Sequence, residues 1–345
     1  MTEFSKTPYE WKENLTTQEW DNLLSQLNGH PLQSSKWGEA QKISCQINYH
    51  HWAVFKDGAP VFLVRFEERL FLKFFKIAWI PKGLDISKNN DNTLQKEFFQ
   101  RLKKRGFFLC CYNPWVKTTP QAKNTSFFYT IWIDLTVGKE KLWMNLHKQC
   151  RNDVKRSAKL GVIIEQTHSL EDLKYFYMIC ESISKSKGFE LGNAAQLMSY
   201  LFSHQHDQDL VRSHLFVARH EGHVCGGAFL MTCGSSVHYL WGAVDRAFAS
   251  LCIGEALQWG IIEWAANNHY QQYDLEGISP KQDSGNDRFK KKFGGVVVAY
   301  PGIQIYFLGK RSRFAPFLMN MYCSLQLKIK HHCLKALVIV NLLKT

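Results

Sequence analysis

Several patterns that would assign a function directly are missing from the sequence. None of the ten cysteines forms a CxxC pair, which argues against a structural zinc site or a dithiol redox site. The motifs GxxxxGK[ST], HExxH and GxSxG do not occur, which excludes the common nucleotide-phosphate, zinc-peptidase and serine-hydrolase sites. The pairs His50-His51 and His331-His332 have no third ligand at suitable spacing. We therefore expect neither a metal nor a cofactor.

Long apolar runs are also missing. The longest, near residues 336–343, is less than half of the roughly 20 residues that a membrane-spanning helix needs. The segment MTEFSKTPYEWKENL has no apolar core of the kind found in secretory signals. Unpaired cysteines stay reduced in the cytosol, so we expect a cytoplasmic protein.

Positive charge is plentiful. Lysine and arginine number 43 against 30 acidic residues, which gives a formal net charge of +13. This excess favours an anionic partner, either nucleic acid, nucleotide phosphates or an acidic membrane surface, and charge alone does not choose among them. The 345 residues, 45% of them hydrophobic, are enough for packed cores and favour two domains.

Hydrophobic periodicity predicts a mixed α/β protein. The first part contains a helix capped by Thr16 or Thr17 and a hairpin whose turn is Asp57-Gly58. One long helix is predicted over 139–160, and the domain boundary is placed at its start. Three antiparallel strands and an apolar helix from Ile253 follow. The similar order of elements in both halves indicates two copies of one fold.

The segment YDLEGISPKQDSGNDRFKKKFGG, residues 273–295, concentrates groups that could take part in chemistry. Asp274 ends a predicted strand, and a lysine cluster at 290–292 follows across a loop rich in glycine, serine and aspartate. A loop of this composition suits a long, anionic substrate better than a packed core.

Four segments in fixed order now carry a family resemblance: LQSSKWGEA, CRNDVKRSAKLGV, GEALQWGIIEWAANNHYQQYDLEGI and RFKKKFGG. Together they resemble the FemABX family of non-ribosomal aminoacyl transferases, over most of the chain up to about Gly309. Members consist of two fused GNAT-like (acyl-CoA N-acyltransferase-like) domains. The resemblance implies two tandem GNAT-like domains, at 1–138 and 139–312, followed by a basic amphipathic tail at 313–345.

The chain departs from the family pattern at two points. Asn113 precedes Pro114 where members often carry an acid, so no carboxylate role is carried over to this position. The sequence also has no long charged heptad segment, so the coiled-coil arm of some members is not expected.

The reaction implied by the resemblance is amide formation. An amine of a peptidoglycan precursor's stem peptide attacks the ester carbonyl of an aminoacyl-tRNA, which makes an interpeptide bridge. The partners would be aminoacyl-tRNA and a lipid-linked or UDP-linked muropeptide, and the sequence does not choose between the two precursors. One alternative is a GNAT-like N-acyltransferase that uses acyl-CoA or an acyl carrier. Another is a non-catalytic basic protein that binds RNA or membrane.

Two residues are predicted to be catalytic. Lys290 matches the lysine of the family's FK segment, and this match implies contact with the ester carbonyl or the terminal phosphate of tRNA. Asp274 could accept the proton or orient a donor, and it could instead cap the following loop.

Seven further residues are predicted to bind substrate. Lys36 could hold a precursor phosphate at a helix N-terminus, while the neighbouring Trp37 could instead be part of the core. Tyr239 and Trp241 alternate on one predicted strand, so both should face the same side, towards a cleft or the core. The remaining three are cationic side chains that could meet phosphates, although the helix face that carries the first two could instead be only solvated: Arg151, Lys155 and Arg212.

The tail beyond residue 313 is basic and carries apolar residues at helical spacing, including Phe314, Phe317 and Met321. It could pack onto the first domain. It could also make a peripheral contact with the inner face of the plasma membrane, which would suit a lipid-linked substrate.

Overall fold

The computed structural model describes residues 8–13, 15–71, 74–83, 92–118, 127–206, 208–278 and 284–308. The chain divides into two compact units. The second unit is Phe128–Ala299, and the first is formed by the chain before it together with the chain from Tyr300 onward. The predicted domain limits after residues 138 and 312 stay predictions, and the predicted tail at 313–345 lies outside the described residues. Within the described ranges, no helix has the length and apolarity required to cross a bilayer.

The described part of the first unit contains a six-stranded sheet and three α-helices. Strand order in the sheet is β1-β2-β3-β4-β5-β13, in which β4 and β5 run parallel and the other pairs are antiparallel. The elements are β1 (Glu10–Lys12), α1 (Thr17–Gln26), α2 (Ser35–Cys45), β2 (Tyr49–Lys56), β3 (Ala59–Phe71), β4 (Phe75–Gly83), α3 (Asn92–Lys104), β5 (Phe107–Pro114) and β13 (Gln304–Phe307).

The second unit is built around a seven-stranded sheet. Its order is β12-β6-β11-β10-β9-β8-β7, and β10 and β11 form the parallel pair. The elements are β6 (Phe127–Asp134), α4 (Lys139–Asn145), α5 (Lys148–Lys159), β7 (Ile163–Thr167), α6 (Leu170–Lys187), α7 (Ala194–Ser203), β8 (Val211–His220), β9 (His223–Cys233), β10 (Ser236–Val244), α8 (Ile253–Asn267), β11 (Gln272–Asp274), α9 (Gly285–Lys291) and β12 (Val296–Pro301).

Both sheets follow one plan. Four strands in antiparallel succession, β1 to β4 or β7 to β10, are followed by a parallel neighbour, β5 or β11, and then by an antiparallel strand, β13 or β6. The prediction of a mixed α/β protein with two copies of one fold is therefore confirmed. The longest described helix, α6, has 18 residues, so the described part of the chain contains no coiled-coil arm.

The capping and turn predictions hold in the first unit. The Thr16 hydroxyl accepts a hydrogen bond from the Glu19 amide, and the Thr16 amide donates one to the Glu19 carboxylate, which forms a capping box. Asp57 and Gly58 both have positive φ, 51° and 78°, as a two-residue hairpin turn requires.

The prediction of a single helix over 139–160 is wrong. The chain breaks between α4 and α5, where Leu146 adopts an extended conformation with its side chain buried. His147 then caps α5 by accepting a hydrogen bond from the Gln149 amide, and its own amide donates to the Lys292 carbonyl, 2.8 Å away. Burial of the Leu146 side chain replaces the backbone hydrogen bonds that a continuous helix would make. The helical periodicity of the sequence does not show this break.

Gln33, in the LQSSKWGEA segment, connects the start of α2 to strands β3 and β4. Its buried side-chain amide donates to the carbonyls of Arg65 and Pro81 and accepts from the Arg65 amide. The next residue, Ser34, caps α2, so this short segment fixes a helix start against two strands.

We predict that Gln33→Leu destabilises the protein strongly. The substitution leaves three buried backbone groups without their partner, and we expect the free energy of unfolding to fall by about 3 kcal/mol. Chemical denaturation followed by circular dichroism measures this change. The control is Gln18→Leu at an exposed position of α1, which should change stability by less than about 0.5 kcal/mol. Equal effects of the two substitutions would contradict the assigned role of Gln33.

Candidate functional site

The candidate site lies at the parallel pair β10–β11 of the second unit. In the register of these strands His238 stands opposite Asp274. Both side chains are buried, at 1% and 0% exposure. Two titratable side chains thus meet inside the sheet, at the strand end where the predicted catalytic Asp274 lies.

Asp274 organises the loop that follows β11. Its Oδ1 accepts hydrogen bonds from the Thr130 hydroxyl and from the Glu276 amide, the latter at 2.8 Å. Glu276 has φ of +56°, in the left-handed region that a side chain rarely adopts. Asp274 therefore caps the loop and stabilises a strained residue, which is the structural role that the sequence left open beside the catalytic one.

His238 is a candidate functional residue that the sequence reasoning missed. Its Nδ1 lies 3.3 Å from Glu276 Oε1 and 3.7 Å from Asp274 Oδ2. The edge of the Trp132 indole packs against the imidazole, with ring centroids 5.7 Å apart. No sequence signal singles out His238, because its closeness to the acids depends on the pairing of β10 with β11.

Lys290 is brought to the same loop by α9. Its side chain is 6% exposed, and Nζ donates to the carbonyls of Glu276 and Gly277 at 3.0 and 2.9 Å. The ammonium also lies 5.8 Å from the centre of the Tyr239 ring. Burial lowers the pKa of Lys290, while nearby carboxylates, chiefly Glu276 and then Asp274, oppose this shift.

The arrangement has clear chemical capabilities. A lysine ammonium, an imidazole and two carboxylates meet around one loop with little exposure to water. In such an environment a fixed cation interacts strongly with a developing negative charge, and an imidazole beside carboxylates can hold or pass a proton. The structure thus brings together the two predicted catalytic residues, Lys290 and Asp274, while their roles stay predictions.

The predicted common face of Tyr239 and Trp241 is wrong. A bulge interrupts β10: Tyr239 pairs with Leu230 of β9, whereas Trp241 pairs with the preceding residue, Phe229. The two aromatic side chains therefore lie on opposite faces of the sheet. Tyr239 packs into the core beside α8, where burial raises its pKa, and Trp241 packs against the Phe229 ring.

The three cationic residues predicted to bind substrate in the second unit make their described contacts elsewhere. Arg151 donates to the carbonyls of Met144 and Leu146, so its guanidinium closes the end of α4. Lys155 is exposed on α5, with Nζ 5.8 Å from the centre of the Trp143 ring. Arg212 lines a cavity of about 340 Å³ together with His168, Leu170, Phe202, Ser203 and Gln205.

Lys36 and Trp37 belong to the first unit, in the first turn of α2. Trp37 is 7% exposed and its amide donates to the Ser34 hydroxyl, so the residue takes part in the core. Lys36 is partly buried one residue earlier. Their roles in substrate binding stay predictions.

Comparison with known proteins places the second unit in an enzyme class. Residues 145–291 match the acetyltransferase (GNAT) domain family. The second unit is therefore similar to a GNAT acetyltransferase domain, and the chain is an acyltransferase. No curated protein matches the sequence.

Solved structures share the fold over most of the chain. FemX superposes with a TM-score of 0.74 at 18% identity, covering 90% of this chain and 100% of that one. L-PGS from Bacillus licheniformis gives 0.53 at 14% identity, with 92% and 98% covered. The C-terminal domain of a putative lysylphosphatidylglycerol synthetase from Agrobacterium fabrum gives 0.50 at 12%, with 76% and 85% covered. The predicted resemblance is confirmed at the level of the fold, a tandem GNAT-like architecture like that of FemX.

We predict that Asp274 stabilises its loop through acceptor geometry. Asp274→Ala leaves the Thr130 hydroxyl and the Glu276 amide without their buried acceptor, and it should lower the free energy of unfolding by about 3 kcal/mol. Asp274→Asn keeps an oxygen at Oδ1 and should cost about 1 kcal/mol. Chemical denaturation of both variants checks the difference, and equal losses would show that the negative charge, not the accepted hydrogen bonds, stabilises the loop.

A second prediction concerns His214, two residues after Arg212 on β8. Burial, with smaller contributions from Arg212 and His168, lowers the pKa of His214 from 6.5 to about 3. Its ring contacts Gln166 and Thr232 at 3.2 and 3.3 Å. Because the unfolded chain binds the proton first, the stability that neutral His214 provides is complete above pH 6.5 and is lost as the pH falls towards 3.

This loss should amount to about 1.4 kcal/mol for each pH unit between pH 6 and pH 4. Unfolding free energies measured across that range should fall less steeply in His214→Gln than in the wild type. The control is His204→Gln at an exposed position, which should retain the wild-type slope. An unchanged slope in His214→Gln would contradict the prediction.

Proposed function

We propose that this protein transfers an amino acid from aminoacyl-tRNA to an amine of a peptidoglycan precursor's stem peptide, and so forms an interpeptide bridge. The observation that carries the proposal is the tandem fold shared with FemX over 90% of this chain. The four ordered sequence segments that resemble the FemABX family support it independently. The acyltransferase class of the second unit is consistent with the same reaction.

The reaction makes limited chemical demands. The amine nitrogen attacks the ester carbonyl carbon, a tetrahedral oxyanion forms, and the carbon–oxygen bond to the tRNA ribose breaks. One amine proton is lost, and the ribose oxygen gains a proton. Because the ester is already activated, the protein contributes alignment, charge stabilisation and a route for the proton.

Lys290 is proposed to stabilise the oxyanion. Two of its three N–H donors bind the carbonyls of Glu276 and Gly277, which fixes the position of Nζ. The third donor is assigned to the carbonyl oxygen of the ester. A buried ammonium held in this way needs little reorganisation as negative charge develops, and it interacts more strongly there than in water.

Asp274 is proposed to act on the proton route through its neighbours. Its Oδ1 accepts hydrogen bonds from the Thr130 hydroxyl and the Glu276 amide, and its Oδ2 lies 3.7 Å from His238 Nδ1. In this role Asp274 and Glu276 orient the imidazole through its Nδ1. His238 rather than Asp274 then becomes the side chain proposed to accept or relay the amine proton.

The basic character of the chain suits both proposed substrates. A formal charge of +13 favours association with tRNA, and much of that affinity would be salt-dependent. Lys155 is exposed and available for phosphate contact, and Lys36 is proposed to bind a precursor phosphate. Arg212, which lines a cavity, is the further candidate for phosphate binding. We place the protein in the cytoplasm at the inner face of the plasma membrane, where lipid-linked or UDP-linked muropeptide is accessible.

A second function is N-acylation of another amine with acyl-CoA or an acyl carrier as donor. The observation that favours it is the match of residues 145–291 to the acetyltransferase (GNAT) domain family. Against it, the segment RAFASLCIG at 246–254 lacks the glycine spacing of a pyrophosphate-binding loop.

The experiment that tests the proposal supplies purified protein with total tRNA charged with radiolabelled amino acids. Lipid-linked and UDP-linked muropeptides are offered in parallel as acceptors. Labelled muropeptide that disappears after RNase treatment of the charged tRNA supports the proposal and identifies the amino acid. No transfer from tRNA, together with acylation of an amine from an acyl-CoA mixture, would replace it with the second function.

We predict that Lys290→Met lowers the rate of transfer by about 100-fold or more, the usual effect of removing one oxyanion donor. The matched control is Lys291→Met, because Lys291 is the next residue of α9 and is exposed. This variant should keep nearly full activity. Circular dichroism and thermal unfolding establish that both variants fold, and similar activity in the two folded variants would refute the role of Lys290.

A further inference from the structure

The hairpin between β3 and β4 extends beyond the rest of the first unit's sheet. β3 pairs with β2 only as far as Glu67, and β4 pairs with β5 only from Lys76 onward. Residues 69–71 and 75–76 of the hairpin strands are therefore at or beyond the ends of both neighbouring strands, although β3 and β4 still pair with each other. At about 3.3 Å per residue, the three residues 69–71 extend the ribbon by roughly 10 Å.

Large apolar side chains are exposed on this projecting ribbon. Phe74 is 84% exposed, more than any other large hydrophobic residue in the described part of the chain, and Leu70 is 60% exposed. The segment RLFLKFFK at 69–76 contains five apolar and three basic residues and no acidic one. Residues 72 and 73 lie outside the described part of the chain.

Two cationic side chains flank Leu70: Arg69 precedes it, and Lys76 lies opposite it in the register of the hairpin. Arg69 is 46% exposed and pairs with the buried Glu67 at 2.6 Å, and Glu67 also binds Arg65 at 3.2 Å. Lys76 is 42% exposed and pairs with Glu68 at 2.9 Å, while His50 lies 3.5 Å from the same carboxylate. These ion pairs hold both cations beside the ribbon with a large part of each side chain still in water.

We propose that this end of the hairpin, defined by Leu70 and Phe74 with Arg69 and Lys76 beside Leu70, inserts into the surface of an anionic lipid bilayer. Exposed apolar side chains on a projecting ribbon, with cations beside them, have the composition of interfacial segments, which bury apolar groups about 5–10 Å into the region below anionic headgroups. The inference does not depend on the proposed transfer reaction.

The shape of the surface favours lipid over a protein partner. A stable protein interface buries about 800 Å² on each side. Two side chains on a narrow ribbon offer roughly half of that area, since one large apolar side chain contributes about 150–250 Å². A bilayer needs no complementary partner surface, so a small apolar tip with basic flanks is sufficient for binding to it.

The test is co-sedimentation of the full chain with vesicles of phosphatidylglycerol and phosphatidylethanolamine, beside vesicles of phosphatidylcholine alone. The wild type should bind the anionic vesicles and bind the neutral ones much more weakly. The double variant Leu70→Ser, Phe74→Ser should bind the anionic vesicles at least about 10-fold more weakly, because two apolar side chains no longer leave water.

The matched control is Val296→Ser, Val297→Ser, which removes a second exposed apolar pair, 68% and 49% exposed, from β12. This variant should bind vesicles like the wild type, and thermal unfolding verifies that both double variants fold. Unchanged vesicle binding by the hairpin variant would overturn the proposal. If the hairpin variant also changed its oligomeric state in sedimentation equilibrium, the tip would be a protein interface.

Discussion

Glu276 is the residue whose fixed conformation the candidate site depends on. Its amide binds Asp274, its carbonyl binds the Lys290 ammonium, and its carboxylate lies 3.3 Å from His238. One residue at positive φ thus links two strands and α9. Strain of this kind persists only where the surroundings fix it, and here a buried carboxylate accepts from the Glu276 amide and a buried ammonium donates to its carbonyl. Any change that releases Glu276 should displace Lys290 and His238 together.

The two units share a strand order but differ in the chemistry at the parallel pair. In the second unit the strand end carries Asp274, and Lys290 is supplied from a helix that follows it. In the first unit the corresponding strand, β5, ends in Asn113 and Pro114. The neutral amide there cannot hold a cation as a carboxylate does. The two copies thus share one architecture, while the cluster of Asp274 and Lys290 at the parallel pair lies in the second copy, the one that matches the acetyltransferase (GNAT) domain family.

Local signals predicted much of the fold, and tertiary pairing decided the remainder. The Thr16 cap and the Asp57-Gly58 turn depend on neighbouring residues, so their prediction from sequence was accurate. The break at Leu146 and the bulge between Tyr239 and Trp241 depend on packing and on strand register, which periodicity does not contain. For the same reason Lys290 and Asp274 were found through motifs, whereas His238 appeared only when β10 and β11 were paired.

The FKKKFGG segment shows why a short motif can combine chemistry with packing. Among its consecutive lysines, Lys290 is buried beneath the loop, and Lys292 reaches Glu255 at 2.7 Å. Gly294 and Gly295 have φ of 78° and 86°, and a Cβ on either would lie within 2.8 Å of a backbone carbonyl oxygen. The glycines therefore let the chain turn closely past α4 and β6, and this path holds α9 where its first lysine meets the Glu276 carbonyl. This backbone path sets the spacing between Lys290 and the glycine pair. The motif therefore reflects packing, and it also positions Lys290, the proposed oxyanion donor.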